Sequence, residues 1–174
     1  DGQINYHDRN EKEEYTARNT PLEFLKETEK GYFLVHPGQE KISFDQEGKM
    51  LRKEDVNGRG ISFTYYEDGK LEKATADNGS SLTYCYNEKG QLEKVTDHTG
   101  RSVHLQYQNE TLKKVTTASG AEYTYTYGEN GRITEVENAR HVTPVKNTYD
   151  RRFRIVHQEF PDGGTMEFSY DDKN

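Results

Sequence analysis

The 174 residues carry a formal net charge of −7 and a pI near 5.4, with no basic stripe, so nucleic acid is not an expected partner. Hydrophobic residues make up 30% and mean hydropathy is −1.18, which taken alone points toward disorder, and no apolar run in the sequence approaches the length that spans a membrane. Against disorder stand 13 tyrosines and seven phenylalanines, residue types that favour strands and bury large areas.

Residues 1–39 follow no period and are read as an atypical lead-in that caps what comes after. Asn10–Glu14 is a charged stretch. Thr20–Lys26 fits a short helix or an extended lead-in strand, Gly31–His36 a strand, and Pro37-Gly38 a turn.

From residue 40 to 174 the chain repeats. An aromatic closes each apolar run at Phe44, Tyr65, Tyr86, Tyr107, Tyr127, Tyr149 and Tyr170, at intervals of 21, 21, 21, 20, 22 and 21 residues. Two and four residues upstream of these anchors the positions are again apolar or aromatic, except at Glu40 and Asn147. Polar residues alternate with them, as in Ser62 and Thr64, His104 and Gln106, and Thr124 and Thr126. Such alternation describes strands with one buried and one wetter face.

A turn follows each anchor, at Glu47-Gly48, Asp68-Gly69, Lys89-Gly90 and Asn130-Gly131. The copy anchored at Tyr107 is one residue shorter there and offers Asn109, a residue type tolerant of positive φ. Phe153 stands where the sixth copy should have glycine, so that turn is expected to differ or to be strained. Return strands open at Met50, Leu71, Leu92, Leu112, Ile133 and Ile155. Their next apolar-face residues come three positions later, at Lys53, Ala74, Val95, Val115, Val136 and Gln158. A spacing of three cannot keep both residues on one face of a regular strand, which predicts a bulge or bend. Second turns fall at Asn57-Gly58, Asn78-Gly79, Thr99-Gly100, Ser119-Gly120 and Asp162-Gly163-Gly164. The fold class expected is all-β: an antiparallel hairpin meander of about seven copies, forming a twisted, spiralling open sheet.

Chemistry is sparse. No phosphate-binding glycine loop, zinc spacing or nucleophile elbow occurs, and no catalytic, cofactor-binding or metal-ligating residue is assigned. The six histidines (7, 36, 98, 104, 141 and 157) lack ligand spacing, and His104 reads as a surface residue. Cys85 is alone and reads as a small passive side chain. Acids gather in turns (Glu67-Asp68, Asp77, Glu88, Asp97, Asp162, Asp171-Asp172), where they cap local backbone donors, and they form no Asp-x-Asp ladder for calcium. Asn78-Gly79-Ser80 and Asn109-Glu110-Thr111 match glycosylation acceptors, relevant only in a eukaryotic secretory setting. Tyr84, Tyr86, Tyr123, Tyr125 and Tyr127 follow the packing pattern, although stacked rings on a β surface also suit sugars. Tyr66, one place beyond its anchor, is the exception to the packing pattern. The chain begins at Asp1 and stops just after an anchor, so a longer polypeptide is expected.

The unit Phe63-Thr64-Tyr65-Tyr66-Glu67-Asp68-Gly69-Lys70-Leu71, closing at Asp77-Asn78-Gly79, resembles the YD repeat of the RHS family. Asn147-Thr148-Tyr149-Asp150, continuing through Arg154-Ile155 to Phe160-Pro161-Asp162-Gly163-Gly164-Thr165 and Tyr170-Asp171, resembles it more closely. The likeness covers roughly residues 31–174. It departs at the Asp after the aromatic, kept only at Asp45, Asp150 and Asp171, and at Phe153. The resemblance implies a segment of a hollow β shell that, in bacterial polymorphic toxins and insecticidal toxin complexes, encloses a C-terminal toxic domain. It also implies a secreted or cell-surface bacterial setting, with other RHS repeats and the toxin domain as partners. Wall-associated relatives and teneurins make surface adhesion or carbohydrate binding the alternative.

Overall fold

The computed structural model describes residues 7–9, 14–17, 24–35 and 40–171, the first two stretches by backbone alone. Every described strand pairing is antiparallel, and no helix occurs among the described residues. The chain forms two compact units, Asp1–Tyr84 with Asp97–Thr99, and Cys85–Thr96 with Gly100–Asn174.

In the first unit the strands are β1 (His7–Arg9), β2 (Glu14–Ala17), β3 (Phe24–Thr28), β4 (Gly31–Val35), β5 (Lys41–Phe44), β6 (Met50–Glu54), β7 (Gly60–Tyr65) and β8 (Leu71–Ala76). They are followed by β9 (Ser81–Tyr86), whose last two residues belong to the second unit. Each pairs with its chain neighbour from β1–β2 to β8–β9. The lead-in is thus already β meander, and Phe24–Lys26 belongs to a strand and not a helix. Residues 20–23, Asn10–Glu13, His36 and Pro37-Gly38 lie outside the described residues, as does Asp172.

The second unit carries β10 (Leu92–Asp97, whose last residue belongs to the first unit), β11 (Ser102–Gln108), β12 (Thr111–Thr116), β13 (Glu122–Tyr127), β14 (Ile133–Glu137), β15 (Lys146–Tyr149), β16 (Ile155–Glu159) and β17 (Thr165–Glu167). Sequential pairing again runs from β10–β11 to β16–β17.

The three-residue spacing is resolved by a bulge in five return strands, β6, β8, β12, β14 and β16. Phe44 faces Met50 while Ser43 faces Arg52, leaving Leu51 as the extra residue. Glu72, Lys113, Thr134 and Val156 hold the same place in β8, β12, β14 and β16. One extra residue against a single partner is what lets residues three apart share a face. Ile42 then pairs with Lys53, Phe63 with Ala74, Leu105 with Val115 and Tyr125 with Val136.

Both rows of turns use one geometry. After Phe44, the Gly48 N–H donates to the Asp45 carbonyl at 3.2 Å and the Asp45 N–H to the Lys49 carbonyl at 2.9 Å, with Gly48 at φ 84°. This is a type I turn closed by a left-handed residue, a standard hairpin connection. The pattern returns over 66–70, 87–91, 128–132 and 150–154, and over 55–59, 76–80, 117–121, 138–142 and 160–164. Phe153 adopts it unchanged at φ 61°, so the sixth turn is strained but not different. The turn at 138–142, with His141 at φ 58°, carries no glycine and is invisible to a search for that residue. Asn109 takes φ 57° in the shortened loop, as its tolerance predicts.

One expectation needs correction. The anchor face is not a buried core: among the described residues Ile42, 9% exposed, is the one buried hydrophobic side chain. Tyr84, Tyr86, Tyr123, Tyr125 and Tyr127 are half-buried, and Ile61 and Leu82 are exposed at 43% and 42%. Neighbouring strands flank each side chain, and nothing described within a unit lies over the row.

Candidate functional site

Where the sequence anticipates only packing at the anchors, the structure adds a repeated hydrogen bond. The Tyr65 hydroxyl donates to the Met50 carbonyl at 2.7 Å, Tyr107 to Leu92 at 2.9 Å, Tyr127 to Leu112 at 2.8 Å, Tyr149 to Ile133 and Tyr170 to Ile155, each at 2.7 Å. For Tyr65, Tyr127, Tyr149 and Tyr170 the acceptor is the residue just before the bulged one. Each bond ties a hairpin to its predecessor. Partial burial raises the phenol pKa of Tyr65 and Tyr127. The signal available in the sequence was tyrosine rather than phenylalanine at six of seven anchors.

The opposite face is polar. Arg52 anchors it in the first unit with all its donors engaged. Nε donates to Glu54 (2.8 Å), Nη1 to Ser62 (3.0 Å) and Asp77 (2.8 Å), and Nη2 to Gly58 (3.2 Å) and Asp77 (2.7 Å). Asp77 also accepts from the Gly60 N–H at 2.8 Å. The Arg52 guanidinium, helped by that amide, pulls the Asp77 carboxyl down to about 2, and Asp77 in turn raises the Arg52 pKa. A Cβ on Gly60 would stand 2.4 Å from the Lys53 carbonyl oxygen, so this crossing admits glycine alone. In the second unit Lys114 donates to Glu122 at 2.8 Å, and His157 meets Glu167 at 2.6 Å.

Of the acids expected to cap turns, Asp68, Asp97 and Asp162 accept from amides two residues on, whereas Asp77 accepts from Arg52 and from the distant Gly60 amide. Asp45, Asp55, Asn87, Asn138 and Asp150 open their turns, and each side chain accepts from the amides two and four residues on. Asp68, Asn78, Asn130 and Asp162 bond the same final amide from inside the turn. These amides hold the Asp55 and Asp150 carboxyls below the usual range, and Asp68 is lowered first by Lys70.

No other candidate gathers into a reactive constellation. Among the described residues no group of three or more His, Cys, Asp or Glu is placed to hold a metal ion. His104 is exposed and paired in register with Lys94 and Thr116, and Cys85 is a half-buried free thiol. Tyr66 is 37% exposed and its hydroxyl donates to the Tyr84 carbonyl at 2.9 Å, so it leans on the neighbouring strand. In the second unit the two-residue loop at Asn109 leaves a shallow depression in the row of turns, bordered by Lys89, Gln91, Asn109 and Thr111. Gln91 Nε2 closes part of it by donating to the Asn109 carbonyl at 3.2 Å.

Residues 108–143 match the family model of the RHS repeat. No curated protein matches the chain. Among solved structures, the crystal structure of TcdB2-TccC3 is similar at TM-score 0.55 and 12% identity, over 91% of this chain and 10% of its own. That of TcdB2-TccC3-TEV gives 0.48 and 13%, and the Photorhabdus luminescens Tc holotoxin pore 0.47 and 12%, each over 92% of this chain and 12% of theirs. The chain therefore spans about a tenth of the length of the solved structures it matches. The first of these shares the fold. The same hairpin, bulge and tyrosine bond recur on either side of residues 108–143.

Proposed function

We propose that this chain is a non-catalytic stretch of wall in a larger secreted or cell-surface RHS protein, whose array encloses and delivers a toxin domain C-terminal to it. The observation that carries the reading is the half-covered anchor face. A row of aromatics with one buried hydrophobic among the described residues suits a wall that is completed by neighbouring repeats and by what it encloses. Residues 1–39 serve as the lead-in and cap of residues 40–174. Its partners are then the other repeats and the toxin domain of the same polypeptide. The sugar-binding alternative draws less support, because Tyr66, its best candidate, is tied to the Tyr84 carbonyl.

Limited proteolysis of the parent polypeptide, followed by mass spectrometry, tests the proposal. A C-terminal fragment that stays protected until the repeats are cut is the expected result. Immediate digestion of the C-terminal region while the repeats endure would show that nothing is enclosed, and surface adhesion would take its place.

A further inference from the structure

We propose that residues 138–154, in the second unit, are where this array opens first, and that Arg140 and the Arg151–Arg152 pair are the bonds at which a protease specific for basic residues first cuts it. The inference concerns this chain alone and does not depend on what the array encloses.

Three features coincide here. The first is a thin ladder. β14 and β15 share one register pair, Glu135 with Lys146, whereas β10–β11, β12–β13 and β16–β17 each share three. Pro144 lies just ahead of β15 and has no N–H to donate. The anchor interval is longest here, at 22 residues, so extra chain separates the two strands. Besides that pair, the hairpins are joined by the Tyr149 hydroxyl on the Ile133 carbonyl (2.7 Å), the Arg132 guanidinium over the Phe153 ring (4.7 Å) and an ion pair of Lys146 with Glu135 (3.7 Å).

The second feature is backbone strain on both sides of β15. His141 and Phe153 occupy φ 58° and 61° in the turns before and after it, where most turns of this unit use glycine. A Cβ in that region crowds the following carbonyl, and Phe has no side-chain hydrogen bond to offset the crowding. Local opening relieves it.

The third is accessibility. Residues 139–142 and 151–153 are all exposed, with Phe153 at 50%. A protease binds its substrate extended, so a hairpin turn is cut only after opening, and cutting follows the population of the open form.

Digestion of the full chain with limiting trypsin, read by intact mass, is the test. Within residues 40–171 the first cuts should follow Arg140, Arg151 or Arg152, about ten-fold faster than those after Arg59 or Lys89. Those two residues are exposed in turns of the same geometry that carry glycine. Phe153→Gly and Phe153→Ala both lose the Arg132 stacking, but glycine alone relieves the strained φ, so the glycine variant should be cut after Arg140 about five-fold more slowly than the alanine variant, with the residues flanking that bond unaltered. Hydrogen exchange gives a second readout, with the amides of Ile133–Glu137 and Lys146–Tyr149 exchanging faster than those of Thr111–Thr116. A first cut elsewhere in 40–171, equal rates in Phe153→Gly and Phe153→Ala, or equal exchange across these strands would overturn the proposal.

Discussion

An anchor phenylalanine would fill the same space as tyrosine, so the hydroxyl bonds account for the choice between them. In Tyr127→Phe the Leu112 carbonyl loses a partner donating at 2.8 Å while packing is kept. Loss of one such bond costs about 1 kcal/mol, and thermal unfolding should show a correspondingly lower midpoint than wild type. Asp77 gives a different residue-level expectation. Its folded pKa of about 2 lies below the ordinary aspartate value of 3.8, so the Arg52 clasp contributes its full stability above pH 4. That contribution is lost as pH falls from about 4 toward 2. Asp77→Asn should flatten the fall of the unfolding midpoint across this window, besides lowering the midpoint at neutral pH. A hydrophobic pattern shows neither feature. It does not separate Tyr from Phe, although tyrosine at six of seven anchors carries the signal, and Arg52 and Asp77 lie 25 residues apart, beyond one period.

At the scale of the strand and turn, much more was legible. The spacing from Leu71 to Ala74 forces a bulge because side chains alternate every residue, and Glu72 supplies it. The Asp after each aromatic looked like a decaying motif. In the structure it is one of two ways to bond the same turn amide, from Asp45 at the start of the turn or from Asp68 within it. The motif varies while the bond stays. The turn at 138–142 carries no such mark, because His141 stands where most of the others have glycine. Deletion variants separate bulge from register. Removing Glu72 takes out the unpaired residue and leaves Leu71 and Ala74 facing Tyr65 and Phe63, so the hairpin should still fold, at a cost of about 1 kcal/mol. Removing Thr64 instead sends Ile61 and Phe63 to the polar face. Circular dichroism should show the first variant retaining its strand signal and cooperative melt, and the second losing both.

For the whole molecule the decisive quantity is how little is buried. The alternation of apolar and polar residues correctly separates the two faces, but it cannot say whether the apolar face is covered. That depends on whether a second layer exists, and within one period no residue encodes it. Each unit holds itself together through ladders, turn caps and neighbour-to-neighbour tyrosine bonds, with Ile42 the one buried hydrophobic among the described residues. Such a sheet is ordered without being closed over. The isolated chain should therefore enhance the fluorescence of the dye ANS, which binds exposed apolar surface. It should also keep the near-ultraviolet dichroism of its tyrosines, because hydroxyls bonded at 2.7–2.9 Å fix the rings. A molten globule shares the first property and lacks the second. Strong dichroism without dye binding would mean that the face is already covered, by a second copy or by the chain itself. Sedimentation would then tell these two apart.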